Sequence, residues 1–152
     1  TLAVTPLRNI SGWVWLLRLR RMLGLFAFFY VSLHFLAYAW VDQRFDLHYI
    51  LEDIVERPYI TIGFLALVLL VPLAVTSNKR MVRRLGKRWK KLHRLVYPIA
   101  ILGVWHYYWL VKADLLQPLI YAAILACLLG YRAWGRFVKT GPASDPRRST
   151  AS

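Results

Sequence analysis

Four histidines are the residues of this chain best suited to chemistry, and three of them lie in or beside long apolar runs. His34 sits inside MLGLFAFFYVSLHFLAYAWV, while His93 opens and His106 interrupts LHRLVYPIAILGVWHYYWLV. An imidazole in a hydrocarbon-length helix is costly and marks a functional position by default. His34 lies 7 residues before Val41 and His106 lies 5 before Val111, so both sit roughly 8–10 Å inside the same boundary at helical rise. Two imidazoles at equal depth on helices running the same way can ligate one haem iron from opposite faces. A six-coordinate bis-histidine haem has no open position and suits electron transfer better than oxygen chemistry. For one such histidine, a hydrogen bond between helices is the plainer role. For two at matched depth, ligation is favoured.

His93 precedes His106 by 13 residues, about 20 Å along a helix axis. That distance suits an inner and an outer redox centre. On an ideal helix, however, the two rings stand about 140° apart, and Pro98 between them is placed to alter the winding. His93 is therefore read as a ligand of a second haem, a flavin contact or an interfacial residue. Arg20 and Arg21 are placed to pair haem propionates or a phosphate, with anchoring at the membrane surface as their plainer role. His48, in RFDLHYI, lies among acids and reads as solvated. The single cysteine, Cys127, reads as a small packing residue. No GxGxxG, Walker-type or CxxC motif is present, so the chain carries no dinucleotide-binding domain of its own.

The elements that must position these histidines follow from charge. Met22–Val41, Tyr59–Thr76, Leu95–Val111 and Leu115–Tyr131 are uncharged over 20, 18, 17 and 17 residues. Such runs match a hydrocarbon core about 30 Å thick, where backbone groups must be paired internally. The fold class is an all-α integral membrane helical bundle, with helices expected at about 22–41, 59–76, 92–111 and 115–135. Loop 42–58 contains the amphipathic YILEDIVE and should form a short interfacial helix. Residues 1–135 read as one membrane domain and 136–152 as a basic cytoplasmic tail, disordered over GPASDPRRSTAS.

The net charge of +14 is not spread like a nucleic-acid surface. Segment 41–58 holds five acids and two Arg, whereas 77–94 holds nine Lys or Arg and no acid. Lys and Arg mark the cytoplasmic side, so the basic loops and the C-terminus should be cytoplasmic and the acidic loop external. LAVT at residues 2–5 recurs at 73–76, and each copy precedes a basic loop and a histidine-bearing helix, with Thr5 and His34 29 residues apart and Thr76 and His106 30 apart. This suggests two copies of a helix pair, with an N-terminally truncated first copy. The same alignment sets Arg21 opposite His93, so a second bis-histidine haem lacks its partner on the first outward helix.

At LAVTPLR, RRMLGL…LHFLAY, RPYITIGFLAL, LGKRWKKLHRLVYPIAILGVWHYYWLVK and QPLIYA the chain resembles the haem-binding membrane subunits of bacterial MsrPQ methionine sulfoxide reductase systems. These belong to the ferric-reductase-like transmembrane superfamily, with NADPH oxidases and metalloreductases as relatives. The resemblance covers residues 1 to about 135. It implies a six-helix architecture, of which about four helices are present here, in the bacterial inner membrane. It implies b-type haem, one or two, held by His34, His93 and His106, with FMN also associated. Electrons would come from the quinone pool or a cytosolic flavin reductase and pass to MsrP, a periplasmic molybdoenzyme that repairs methionine sulfoxide in proteins. The chain would then be an electron-transfer subunit. A stand-alone metalloreductase would need an appended flavin and NAD(P)H domain. A small transporter or membrane anchor is the rival from another class, but the apolar runs hold no acid, and transport paths usually carry one near midplane.

Overall fold

Segments without charge over a bilayer's thickness become helices because only a helix or a closed barrel pairs their backbone in lipid. The computed structural model describes residues 2–13, 15–111 and 115–139. Among the described residues there are eight α-helices and no strand: α1 (Val4–Ser11), α2 (Leu16–Ala37), α3 (Leu47–Glu56), α4 (Pro58–Val75), α5 (Lys79–Leu85), α6 (Lys87–Leu92), α7 (Val96–Leu110) and α8 (Leu116–Lys139). Three stretches among them are long and apolar enough to cross a membrane: Arg18–Asp42, Pro58–Val75 and Leu116–Gly135. The expected all-helical membrane architecture is the one observed. Lys112, Asp114 and the tail 141–152 lie outside the described residues.

The helix expected over 92–111 is broken. α6 ends at Leu92, a 3₁₀ turn covers His93–Leu95, and α7 follows with 15 residues. Alone, α7 spans about 22 Å. With the turn, at about 2 Å per residue, the stretch from His93 reaches about 28 Å and nearly crosses the core. Pro98 accounts for the change. It has no N–H for the carbonyl of Arg94 and its ring crowds that carbonyl, so the tighter turn falls just before it.

Capping residues set the other boundaries. Asp46 accepts the His48 N–H at 2.9 Å to start α3, and Asn78 accepts the Met81 N–H at 2.7 Å to start α5; such side-chain caps pair donors that the first helical turn leaves open. Gly12 and Gly86 take positive φ, 72° and 49°, at the turns after α1 and α5, a region open to glycine at no steric cost. The amphipathic part of loop 42–58 forms α3 as its pattern implies.

α4 is the central helix, packing against α2, α3 and α7, while α8 packs on α7 and α1 on α2. The interior is thin: Val4, Ala39, Ile50, Ala66 and Leu73 are buried, and large side chains such as Phe29, Trp105 and Ile124 face outward. Outward apolar surface on this scale is what lipid or further helices cover. At the basic end Arg132 of α8 donates to the Tyr97 hydroxyl (2.6 Å) and to Thr5 Oγ1 (2.7 Å), joining α1, α7 and α8. The two LAVT copies occupy unlike places. Thr5 meets Arg132, whereas Thr76 ends α4 and its carbonyl accepts from Trp89 Nε1 at 2.9 Å.

Candidate functional site

α2 and α7 both pack on α4, and this shared neighbour brings His34 and His106 together across the bundle. Their ring centroids stand 6.3 Å apart with the ring planes at 72°. A metal held by one nitrogen from each ring, through bonds of about 2 Å, needs roughly this spacing. The ring of His106 is oriented from α4. Its Nδ1 lies 2.7 Å from the Tyr59 carbonyl; a carbonyl only accepts, so Nδ1 carries a proton and Nε2 is the nitrogen that a neutral ring would offer to a metal. This is the tautomer and the support that metal-bound histidines commonly have. His34 is exposed on α2, which leaves room beside its ring.

Gly63 makes the Tyr59 contact possible, and sequence reasoning missed it. A Cβ at position 63 would lie 2.8 Å from His106 Cε1 and 2.9 Å from Nδ1. In a helix the carbonyl of residue i lies beside residue i+4, so a glycine at 63 uncovers the carbonyl of Tyr59. The available signal was a glycine inside an otherwise bulky apolar run, TIGFLAL, which costs about 1 kcal/mol of helix propensity relative to Ala and so asks for a packing reason.

His93 lies apart, at the basic end. Its ring stacks on Trp89 with centroids 3.9 Å apart, and its Nδ1 lies 3.2 Å from the Trp89 carbonyl. Nε2 is buried with no hydrogen-bond partner; the Leu73 backbone acts on the ring electrostatically but outside good hydrogen-bond geometry. His93 lines a cleft of about 690 Å³ whose apolar throat includes Gly24, Ala27, Phe28 and Leu70 and whose rim carries Arg18, Arg20, Arg21, Lys79 and Arg83. A 3₁₀ residue turns about 120°, so the His93–Leu95 turn narrows the His93–His106 offset from about 140° to roughly 80–100°. The two histidines are closer to one face than an ideal helix allows, but not aligned.

The paired imidazoles and the cleft lie along the same faces of α2 and α4. Ala27 and His34 are seven residues apart on α2, as are Gly63 and Leu70 on α4, and that spacing keeps residues on one helical face. The cleft thus lies below the imidazole pair along the same two helices. His48 sits on α3 beside Tyr49, away from both, and Cys127 is exposed on α8.

The donor set decides which groups could fit. Among the described residues no cluster of three or more His, Cys, Asp or Glu could hold a metal ion. Two neighbouring imidazoles without further protein ligands would suit a haem iron, whose remaining ligands a porphyrin supplies. The cleft beside His93, with its apolar throat and cationic rim, fits a flat apolar cofactor carrying acidic groups.

An all-helical membrane bundle holding paired imidazoles defines the class, and comparison with known proteins agrees. Residues 1–104 match the family described as ferric reductase like transmembrane component, and the chain belongs to that family. Within it the chain is similar to proteins named protein-methionine-sulfoxide reductase heme-binding subunit MsrQ. The one from Xanthomonas campestris pv. campestris (strain 8004) is 54% identical over 151 residues, covering 99% of this chain and 66% of the relative. Those from Rhodospirillum rubrum and Herminiimonas arsenicoxydans are 63% and 57% identical, covering 87% and 91% of this chain and 64% and 65% of the relatives. The chain thus spans just under two thirds of the length of these relatives. No solved structure matches.

Proposed function

We propose that this chain is the haem-binding, electron-transfer membrane subunit of a protein-methionine-sulfoxide reductase. His34 and His106 ligate one b-type haem near the acidic end, and His93 serves a second redox centre, a haem or FMN, in the basic cleft. The observation that carries this reading is the 6.3 Å approach of His34 and His106, with His106 Nδ1–H donating to the Tyr59 carbonyl. Haem, when bound, supplies a one-electron carrier. The protein's own part is to bring the two imidazoles together and to orient one of them: the Tyr59 carbonyl accepts a hydrogen bond from His106 Nδ1–H, and Gly63 leaves that ring its space. At the basic end Arg20 and Arg21 would pair the carboxylates or phosphate of the second cofactor.

The density of Lys and Arg at the cleft end supports a cytoplasmic assignment for it, in the inner membrane of a bacterium. Electrons then enter there, from the quinone pool or a cytosolic flavin reductase. They leave at the acidic end toward MsrP, a periplasmic molybdoenzyme. The relatives' name supports the haem and the methionine-sulfoxide reductase partnership. The test is the dithionite-reduced minus oxidised absorption spectrum of the purified protein beside His34→Ala, His93→Ala and His106→Ala. A b-type signal lost with His34 or His106, and reduced or altered with His93, is expected. Full haem content in all three variants, or a featureless spectrum from folded protein, overturns the reading.

A further inference from the structure

α3 presents three acids, and one of them turns inward. Glu52 and Glu56 are exposed, whereas Asp53 is only 9% exposed. A carboxylate taken from water is costly unless it is paired, and this one meets three donors. Its Oδ2 accepts from the Tyr38 hydroxyl at 2.8 Å and from Gln43 Nε2, and its Oδ1 lies 3.2 Å from Arg57 Nε. The Tyr59 side chain and then the Asp53 charge hold the Arg57 guanidinium above its ordinary range.

The three donors come from the supports of the imidazole pair. Tyr38 ends α2 one turn beyond His34, and its N–H bonds the His34 carbonyl. Gln43 belongs to the connection that leaves α2 through a π-helical turn, Tyr38–Asp42, and then places Arg44 and Phe45 at φ 48° and 60°. Positive φ at a bulky residue is strained and persists only where surroundings enforce it. Arg57 immediately precedes α4, two residues before the Tyr59 carbonyl that orients His106. One carboxylate therefore ties the end of the His34 helix to the turn that holds His106.

We propose that Asp53 is a positioning residue that sets the mutual orientation of His34 and His106, and with it the ligand field of the metal they share. This rests on the reading that the two imidazoles ligate one haem iron. The Asp53–Arg57 pair also places one charge of each sign beside that site. Removing the carboxylate leaves Arg57 unbalanced and disfavours the ferric state. Removing the guanidinium leaves Asp53 unbalanced and favours it.

The test compares purified full chain, Asp53→Asn, Arg57→Gln and Tyr38→Phe by haem content, by the largest ferric low-spin EPR g-value and by midpoint potential. Haem is retained, the g-value moves in Asp53→Asn and Tyr38→Phe, and the potential rises in Asp53→Asn but falls in Arg57→Gln. Potentials that move the same way in the two variants overturn the charge-pair part of the proposal. Asp53→Asn with retained haem and an unchanged EPR signal overturns the positioning role. If Asp53→Asn does not fold, Tyr38→Phe decides, since it deletes one hydroxyl, and an unchanged g-value there overturns the proposal. A parent protein with no b-type signal overturns the haem reading itself and this inference with it.

Discussion

The two ends of the bundle handle charge and histidine in opposite ways. At the acidic end, His106 is bonded to Tyr59, Asp53 meets Tyr38, Gln43 and Arg57, and the Thr61 hydroxyl reaches the Ile54 and Arg57 carbonyls. At the basic end, cations crowd a cleft, and among the described residues the single ion pair, Arg57–Asp53, is at the other end. Satisfied polar networks rigidify what they hold, so the acidic end suits a ligand pair of fixed geometry. Unpaired cations around an apolar throat suit an anionic group that comes from outside the protein. The same fold thus presents one end organised by its own side chains and, among the described residues, one end whose cations have no ion-pair partner in the protein.

The largest effects should come from breaking that comparison at the histidines. His106→Ala should remove nearly all of the acidic-end haem signal while sparing the basic end, and His93→Ala should do the reverse; reduced-minus-oxidised spectra with haem and flavin quantification read both. Equal loss of both centres in each variant would mean that the two ends are not separate. Gly63→Ala comes next. The added Cβ must displace the His106 ring from 2.8 Å, and loss of second-shell support costs about 10–100-fold in metal affinity. Haem titration of the purified protein checks this; unchanged affinity would mean that the ring has another seat.

Charge reversal sharpens the comparison at the other end. Arg20→Glu with Arg21→Glu should weaken retention of the basic-end cofactor several-fold and leave the acidic-end spectrum unaltered. Cofactor content after purification at low and high salt measures it, since exposed charge attraction is screened by salt. The smallest effect belongs to Trp89→Phe. It keeps an aromatic ring against His93 but deletes the Nε1–H bond to the Thr76 carbonyl, and should cost about 1 kcal/mol of stability. A thermal unfolding shift of a few degrees is expected, with the acidic-end signal unchanged.

Much was legible before any fold was known, and particular residues explain why. The uncharged runs marked the membrane segments, and YILEDIVE marked α3. His34 and His106 drew attention by depth alone, and the structure brings them together. His93 also drew attention, but its surroundings did not: the stacked Trp89 is four residues earlier, in α6, while Phe28 and Leu70, which line its cleft, are far away in sequence. Pro98 marked where the winding of the helix at 92–111 changes, but hydropathy alone cannot place the 3₁₀ turn at His93–Leu95, since it does not tell that turn from an α-turn.

By itself, the sequence determined that this is a helical membrane protein with one acidic and one basic end and two histidines at equal depth. Hydrocarbon burial and helical rise act locally along the chain, so a one-dimensional pattern carries them. Only the tertiary structure decided that His106 is oriented by Tyr59 through the space at Gly63, and that Asp53 joins the helix of His34 to the start of α4. Those contacts link residues on different elements, His106 and Tyr59 being 47 positions apart. Their geometry depends on how helices pack, which no single segment specifies.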